Sequence, residues 1–151
     1  MDANTYQSAF KFIGSRITDL SINHTYFNME SSNSESKSFN LNHKVLDIYE
    51  KSGILYGTIQ LQLKIDIHNK AKDESDPNYQ YDLKLCIEGC FSSKGMPQEQ
   101  FKEMLQINGS AALYSIIRGF VMCTTSQTML GGQIVLPLLN FTDMPKETES
   151  E

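Results

Sequence analysis

The segment TIQLQLKIDIH, residues 58–68, alternates apolar and polar residues without a break. Because successive side chains of a β-strand point to opposite faces, this pattern predicts a strand with one buried face and one face in water. A fold for this chain must therefore cover one side of a sheet and leave the other side open. The expected core residues of this strand are Ile59, Leu61, Leu63, Ile65 and Ile67.

A second segment, YQYDLKLCIEGCF at residues 79–91, repeats the alternation. The intervening NKAKDESDPN is rich in turn-forming residues, so we expect the two strands to pair antiparallel. The apolar side of the second strand is predicted to comprise Tyr79, Tyr81, Leu83, Leu85 and Ile87.

Two more strands are predicted upstream. In AFKFIGSRITDLSINHTYF, residues 9–27, the apolar register shifts near Gly14 and Ser15, and a β-bulge would reconcile the two halves. The polar segment 29–38 is expected to be a crossover before the next strand, which ends at a turn over residues 51–53. The apolar residues that indicate this strand are Phe39, Leu41, Val45, Leu46 and Ile48.

After Pro97 the apolar period changes to that of a helix, interrupted near Gly109. Four strands followed by helical sequence predict an α+β fold, in which a four-stranded antiparallel sheet carries a long, kinked helix on one face. We expect a single domain over residues 1–142 and a flexible acidic tail over residues 143–151. The helical positions are Phe101, Met104, Leu105, Leu113, Ile116, Ile117, Phe120 and Val121.

The composition argues against several partner classes. Among 151 residues, 13 Lys+Arg against 18 Asp+Glu give a net charge of −5, and no basic run is present, so nucleic acid is not an expected partner. The N-terminus lacks the features of a signal peptide, and no segment reaches the ~20 apolar residues of a membrane helix. We therefore expect a cytoplasmic protein without membrane insertion, whose three cysteines are reduced.

The sequence offers little for catalysis or metal binding. Cys86 and Cys90 would lie about 13 Å apart on a regular strand, too far for one metal ion, and Cys123 is predicted to be a small core residue. The histidines at 24, 43 and 68 are predicted to be solvated, without a carboxylate partner at ligand spacing. Gly131 and Gly132 follow a helix, which predicts a helix stop and not a phosphate loop. We expect no enzyme activity, no cofactor and no metal site.

Apolar residues remain that neither periodicity explains. They include aromatic residues at the strand ends and the segment GGQIVLPLLNF, residues 131–141, which is too short to cross a membrane and contains Pro137. Together these residues could line an apolar channel, since aromatic and methionine side chains adapt to varied partners. They are Tyr26, Phe27, Phe91, Met96, Ile134, Val135, Leu136, Leu138, Leu139 and Phe141.

Four motifs make the chain resemble the SecB protein-export chaperones. They are IGSRITDLSINH at residues 13–24, EGCF at 88–91, NGSAALYSIIRGF at 108–120 and IVLPLLNF at 134–141, and the resemblance covers about residues 10–142. It implies a homotetramer, a dimer of dimers, whose hydrophobic grooves hold unfolded polypeptide clients. Arg118 matches a motif position with a structural role. The implied groove residues are Tyr26, Phe27, Phe91, Met96, Leu136, Leu138, Leu139 and Phe141.

The resemblance also implies a docking face on the polar side of the sheet, with Asp19, Asp82 and Glu88 as candidates. Asn23 and Lys84 stand where typical members have acidic docking residues, which puts docking of the SecA motor in doubt. The resemblance makes a holdase for unfolded or precursor polypeptides the leading hypothesis, with protein export as one setting. The alternatives are a dedicated SecB-like chaperone of an antitoxin and, from another class, a small-ligand-binding or oligomerisation α+β domain.

Overall fold

The computed structural model describes residues 9–24, 34–70, 79–129 and 133–143. Four long strands come first and helical segments follow, in the predicted order. The elements are β1 (Phe10–His24), β2 (Ser34–Lys51), β3 (Ile54–Lys70), β4 (Tyr79–Lys94), α1 (Gln98–Met104), a π-helical turn (Leu105–Gly109), α2 (Ser110–Thr128) and a 3-10 turn (Phe141–Asp143).

The four strands form one antiparallel sheet in the order β1-β4-β3-β2, which confirms the predicted α+β architecture. Strands β2 and β3 are joined by a tight turn at Ser52 and Gly53, whose φ angles of 54° and 74° suit the twist of a hairpin. Strand β2 begins at Ser34, so the prediction of a crossover over residues 29–38 is wrong for residues 34–38. Pairing with β3 overrides the weak strand preference of serine.

The alternating residues of β3 and β4 supply about half of the hydrophobic core, as predicted for all of them except Tyr79, whose side chain lies outside the described part of the structure. Their buried apolar side chains point to the face that the helix covers, while most of the alternate residues are polar and form the other face of the sheet. The buried apolar residues of the two strands are Leu55, Ile59, Leu61, Leu63, Ile65, Ile67, Tyr81, Leu83, Leu85, Ile87 and Phe91.

The helix is long and changes its winding at residues 105–109, where the sequence predicts a kink. Gly109 lies in this turn, and a Cβ atom there would come within 3.3 Å of Ile59 Cγ2. Farther along, a Cβ atom on Gly89 of β4 would come within 2.5 Å of Leu113 Cδ2. The helix therefore approaches the two central strands closely because glycine occupies the contact points.

Strand β1 departs from regular alternation twice. Its pairing with β4 shifts between Phe12 and Gly14, as the sequence predicts, and again between Ile17 and Asp19. The second shift was not predicted. Each bulge restores the apolar register after an extra residue, so that Ile17, Leu20 and Ile22 all pair with apolar residues of β4.

The prediction that Cys123 is a core residue is wrong, because its side chain lies on the exposed side of α2. Helical rotation places residue 123 on the side opposite Thr125, which is buried. No helix among the described residues is long and apolar enough to cross a membrane. Of the predicted tail, only Asp143 lies within the described residues, and the division of the chain at residue 142 stays a prediction.

Candidate functional site: the connection after helix α2

Residues 133–141, here called the connection, follow α2 without strand partners in the described structure, and Phe141 begins the 3-10 turn. Three side chains of α2 bind its backbone. Tyr114 Oη donates to the carbonyl oxygen of Pro137 at 2.7 Å, and Arg118 Nε donates to that of Leu136 at 3.0 Å. Thr125 Oγ1 accepts a hydrogen bond from the amide of Ile134 at 2.8 Å.

These three side chains share one flank of α2, because residues four and seven positions apart on a helix lie close in angle. They satisfy backbone groups that a neighbouring strand would otherwise pair. The structural role implied for Arg118 is consistent with this contact. We refer to Tyr114, Arg118 and Thr125 as the α2 clasp.

The side chains of the connection divide into buried anchors and an exposed surface. Leu136 and Phe141 are 3% and 7% exposed, and the Phe141 ring packs edge-on against Tyr114 with centroids 5.5 Å apart. Val135 and Leu138 are 61% and 82% exposed. Pro137 cannot continue a strand ladder, so the segment is held by its anchors and by the α2 clasp.

The residues predicted to line a groove occupy three kinds of position. Phe91, Leu136 and Phe141 are buried in the core, where Phe91 stacks on Phe10 with ring centroids 5.0 Å apart. Met96 and Leu139 are partly buried against the core, and Leu138 is open. Tyr26 and Phe27 lie outside the described residues. The groove assignment stays a prediction, with the buried members placed beneath the surface and Leu138 on it.

An apolar surface that the sequence does not predict lies on β1. Phe12, Ile17 and Leu20 are 48%, 41% and 42% exposed, although they pair with the core residues Phe91, Ile87 and Leu85. Cross-strand partners share a face of the sheet, so these side chains lie on the helix side. Helix α2 packs on β3 and β4, which leaves the edge strand half-covered. We call the half-exposed residues Phe12, Ile17 and Leu20 the β1 strip.

The predicted docking residues lie on the opposite, polar face. Asp19 is exposed on β1, and Glu88 of β4 forms an ion pair with Arg16, with Nη2 and Oε2 3.1 Å apart. Gln60 Nε2 also donates to Glu88 at 3.3 Å, so the Glu88 carboxylate is already engaged. Asp19 and Glu88 line a hollow of about 620 Å³. Docking at these residues and at Asp82 stays a prediction.

The expectation that no histidine has a carboxylate partner at ligand spacing is wrong for His68. Its ring nitrogen lies within 4.8 Å of carboxylate oxygens of Asp66 and Asp82. Asp66 faces Asp82 across β3 and β4, so knowledge of the strand register would have revealed this cluster. Burial alone would raise the pKa of Asp66, but its contact with Asp82, the hydrogen bond and positive charge of Lys64, and the nearby His68 ring lower it overall.

The α2 clasp leads to a prediction about stability. Tyr114→Phe keeps the ring contact with Phe141 but removes the donor to Pro137, so we expect the free energy of unfolding to fall by about 0.5–1.5 kcal/mol in urea titrations at neutral pH. Tyr49→Phe, at an exposed tyrosine on β2, is the matched control and should change stability little. Equal stability of the Tyr114→Phe variant and the wild type would contradict a binding role for the hydroxyl.

A pH series separates the hydroxyl from the ring. Burial raises the pKa of Tyr114 above 10.0, although the charge of Arg118 opposes this effect. The pKa of Tyr114 is higher in the folded state than in the unfolded state. The stability that depends on the protonated hydroxyl is therefore fully present below pH 10 and is lost as pH rises through the raised pKa. Tyr114→Phe should remove this part of the loss of stability at alkaline pH, whereas Tyr49→Phe should retain it.

Comparisons with known proteins bear on the fold. No family model matches the sequence, and no curated protein matches it. A solved structure of the Rv1957 SecB-like chaperone of Mycobacterium tuberculosis, in complex with a peptide of the HigA1 antitoxin, is similar with a TM-score of 0.54 and 13% identity, over 87% of this chain and 91% of that one. A Streptococcus agalactiae protein of unknown function has a TM-score of 0.45 and 9% identity, over 85% and 97%. The first comparison shows a SecB-like fold.

Proposed function

We propose that this protein is a chaperone that binds unfolded polypeptide segments and keeps them from aggregating. The observation that carries the proposal is the apolar surface left open after the core is complete, with Leu138 at 82% and Val135 at 61% exposed, together with the half-exposed β1 strip. The similarity of the fold to a SecB-like chaperone supports the same role. Exposed apolar surface of this kind is a common mark of an interaction site.

The physical basis of binding is the burial of apolar area. An unfolded client offers apolar side chains, and covering them is worth about 25 cal/mol per Å² before the costs of ordering. Many weak contacts along a chain give affinity without demanding one sequence. The anchored backbone of the connection keeps Val135 and Leu138 outward, which reduces the ordering cost on the chaperone's side.

A second candidate within this class is a dedicated chaperone of one partner, such as an antitoxin. The Rv1957 SecB-like chaperone is seen with a peptide of an antitoxin, and this supports the alternative. The polar face here carries Lys84 and Asn23 as well as Asp19, so docking of an export motor that prefers acidic surfaces is the less supported part of the proposal.

The aggregation of a reduced, unfolded test protein, followed by light scattering, examines the proposal directly. We expect the wild-type chain to suppress scattering in proportion to its concentration, because each bound client is removed from the aggregating pool. A panel of unrelated unfolded proteins distinguishes the two candidates. Suppression across the panel supports a general holdase, and binding of a single apolar tag supports a dedicated one. Failure to bind any unfolded chain or apolar peptide would contradict both.

The proposal extends to a homo-oligomer, with a dimer of dimers as the leading assembly. Strand β1 is an edge of the described sheet, and its side chains Phe12, Ile17 and Leu20 are half-exposed, so two copies have both backbone groups and apolar area with which to associate. We place the protein in the cytoplasm, where Cys86, Cys90 and Cys123, all free in the structure, would stay reduced. We assign residues 1–142 to one non-enzymatic domain.

A further inference from the structure

The polar face of the sheet carries a cluster of metal-ligand residue types, remote from the apolar surface described above. Asp66 and His68 are two residues apart on β3 and therefore point to the same face, and Asp82 faces Asp66 from β4. One ligand atom from each of the three residues lies within 4.8 Å of the other two. We propose that Asp66, His68 and Asp82 form a binding site for a divalent transition-metal ion, with Zn²⁺ as the best-fitting ion.

The donor set fits zinc chemistry. Zinc binds imidazole nitrogen and carboxylate oxygen at about 2.0–2.2 Å, commonly with three protein ligands and a fourth position that is open to water or a partner. Ligand atoms that bind one ion at these distances lie closer together than 4.8 Å, the limit within which the three ligand atoms lie here. Small rotations of the side chains would therefore complete the site. His68 is exposed and can make such a rotation without disturbing the core.

A second observation concerns Asp82 itself. Its Oδ2 accepts a hydrogen bond from Gln80 Nε2 at 2.6 Å. Its Oδ1 is buried and has no hydrogen-bond partner among the described residues. A buried carboxylate oxygen without a donor is unfavourable, and a bound cation would satisfy it.

The neighbouring charges are compatible with a cation. Asp66 and Asp82 face each other, and Lys64 Nζ lies 3.3 Å from Asp66 Oδ2, where it compensates part of their repulsion. The Lys64 side chain is 52% exposed, so it can move into solvent when a metal ion takes over this role. The cluster lines a hollow of about 400 Å³ that also contains Lys84 and Asn23, and Asn23 faces Asp82 from β1 and could offer an amide oxygen.

Isothermal titration of the full chain with Zn²⁺ alone tests the site. We expect one ion per chain, with binding weakened roughly tenfold or more in His68→Ala and in Asp82→Asn. Asp82→Asn is nearly isosteric and keeps an acceptor for Gln80, so the fold should persist, as circular dichroism can verify. His24→Ala, at an exposed histidine outside the cluster, is the matched control and should bind zinc like the wild type.

Cobalt as a spectroscopic substitute separates this site from the cysteines. Binding at the proposed site gives visible bands without the near-ultraviolet charge-transfer band of thiolate ligands, and His68→Ala removes these bands. Absence of binding by the wild type up to millimolar zinc would overturn the proposal. Binding that survives both His68→Ala and Asp82→Asn, or cobalt spectra dominated by thiolate ligation, would also overturn it. None of these outcomes depends on whether the protein is a chaperone.

Discussion

A Val135→Asp/Leu138→Asp double variant should remain folded and lose most of its capacity to hold unfolded protein. Both side chains are largely exposed, so the carboxylates stay in water in the free protein and cost little stability. In a complex, the client would lose two apolar contacts and would have to desolvate two charges. The lost burial alone amounts to ~3 kcal/mol, or about two orders of magnitude in affinity. Aggregation suppression and fluorescence titration with an unfolded client both measure this loss.

The matched control makes the same change of charge on the other face of the sheet. Asn40→Asp/Asn42→Asp introduces two carboxylates at exposed positions of β2 that face away from the helix. This variant should hold clients like the wild type, since net charge alone is not the cause of binding. If the Val135/Leu138 variant is folded in urea titrations and still holds clients at full capacity, the connection is not part of the binding surface.

The exposed connection residues are a better test than the buried ones. Leu136→Asp would place a charge at a position that is 3% exposed, and it would unfold the segment or detach it from α2. A loss of binding in that variant could not be attributed to the surface. Leu138→Asp leaves the contacts of Tyr114 and Arg118 with the backbone intact, because those contacts use carbonyl groups.

The parts of the fold that depend on the local spacing of apolar residues could be predicted from the sequence. Alternation in β3 and β4 defines the buried face, and the shift at Gly14 and the interruption at Gly109 follow from residues close in the chain. The exposure of the β1 strip could not be predicted in the same way. It depends on how much of the four-stranded sheet one helix can cover, which is a property of the assembled layers.

The candidate site shows the same division. Its apolar composition was evident from the sequence, but the choice of Leu136 and Phe141 as anchors and of Leu138 as surface was not. In a strand, alternation would decide which residues point inward, whereas the connection has no strand partner in the described structure. Its orientation depends on hydrogen bonds with Tyr114, Arg118 and Thr125 of α2. Each of these residues precedes its partner in the connection by at least nine residues.

The contact between α2 and β4 should be highly sensitive to changes in side-chain size. Leu113 is fully buried, so Leu113→Ala should lower the free energy of unfolding by about 2–5 kcal/mol through lost burial and a residual cavity. Gly89→Ala should cost about 1–3 kcal/mol, because a Cβ atom there would lie 2.5 Å from Leu113 Cδ2. Urea titration with a constant m-value measures both losses.

The double variant tests whether the two residues meet as described. With Leu113 replaced by alanine, the new methyl group at position 89 no longer collides with the leucine branches. The double variant should therefore lose about 0.5–3 kcal/mol less stability than the sum of the losses in the two single variants. Gly119→Ala is the matched control on α2, since a Cβ atom there meets no described atom within 4 Å, and it should stabilise the helix by about 0.5–1 kcal/mol. Strictly additive losses at positions 89 and 113 would mean that α2 does not rest on β4 at Gly89. In that case the close contact that positions α2 on the sheet would have to lie at another residue. The flank of α2 that holds the connection would depend on that other contact.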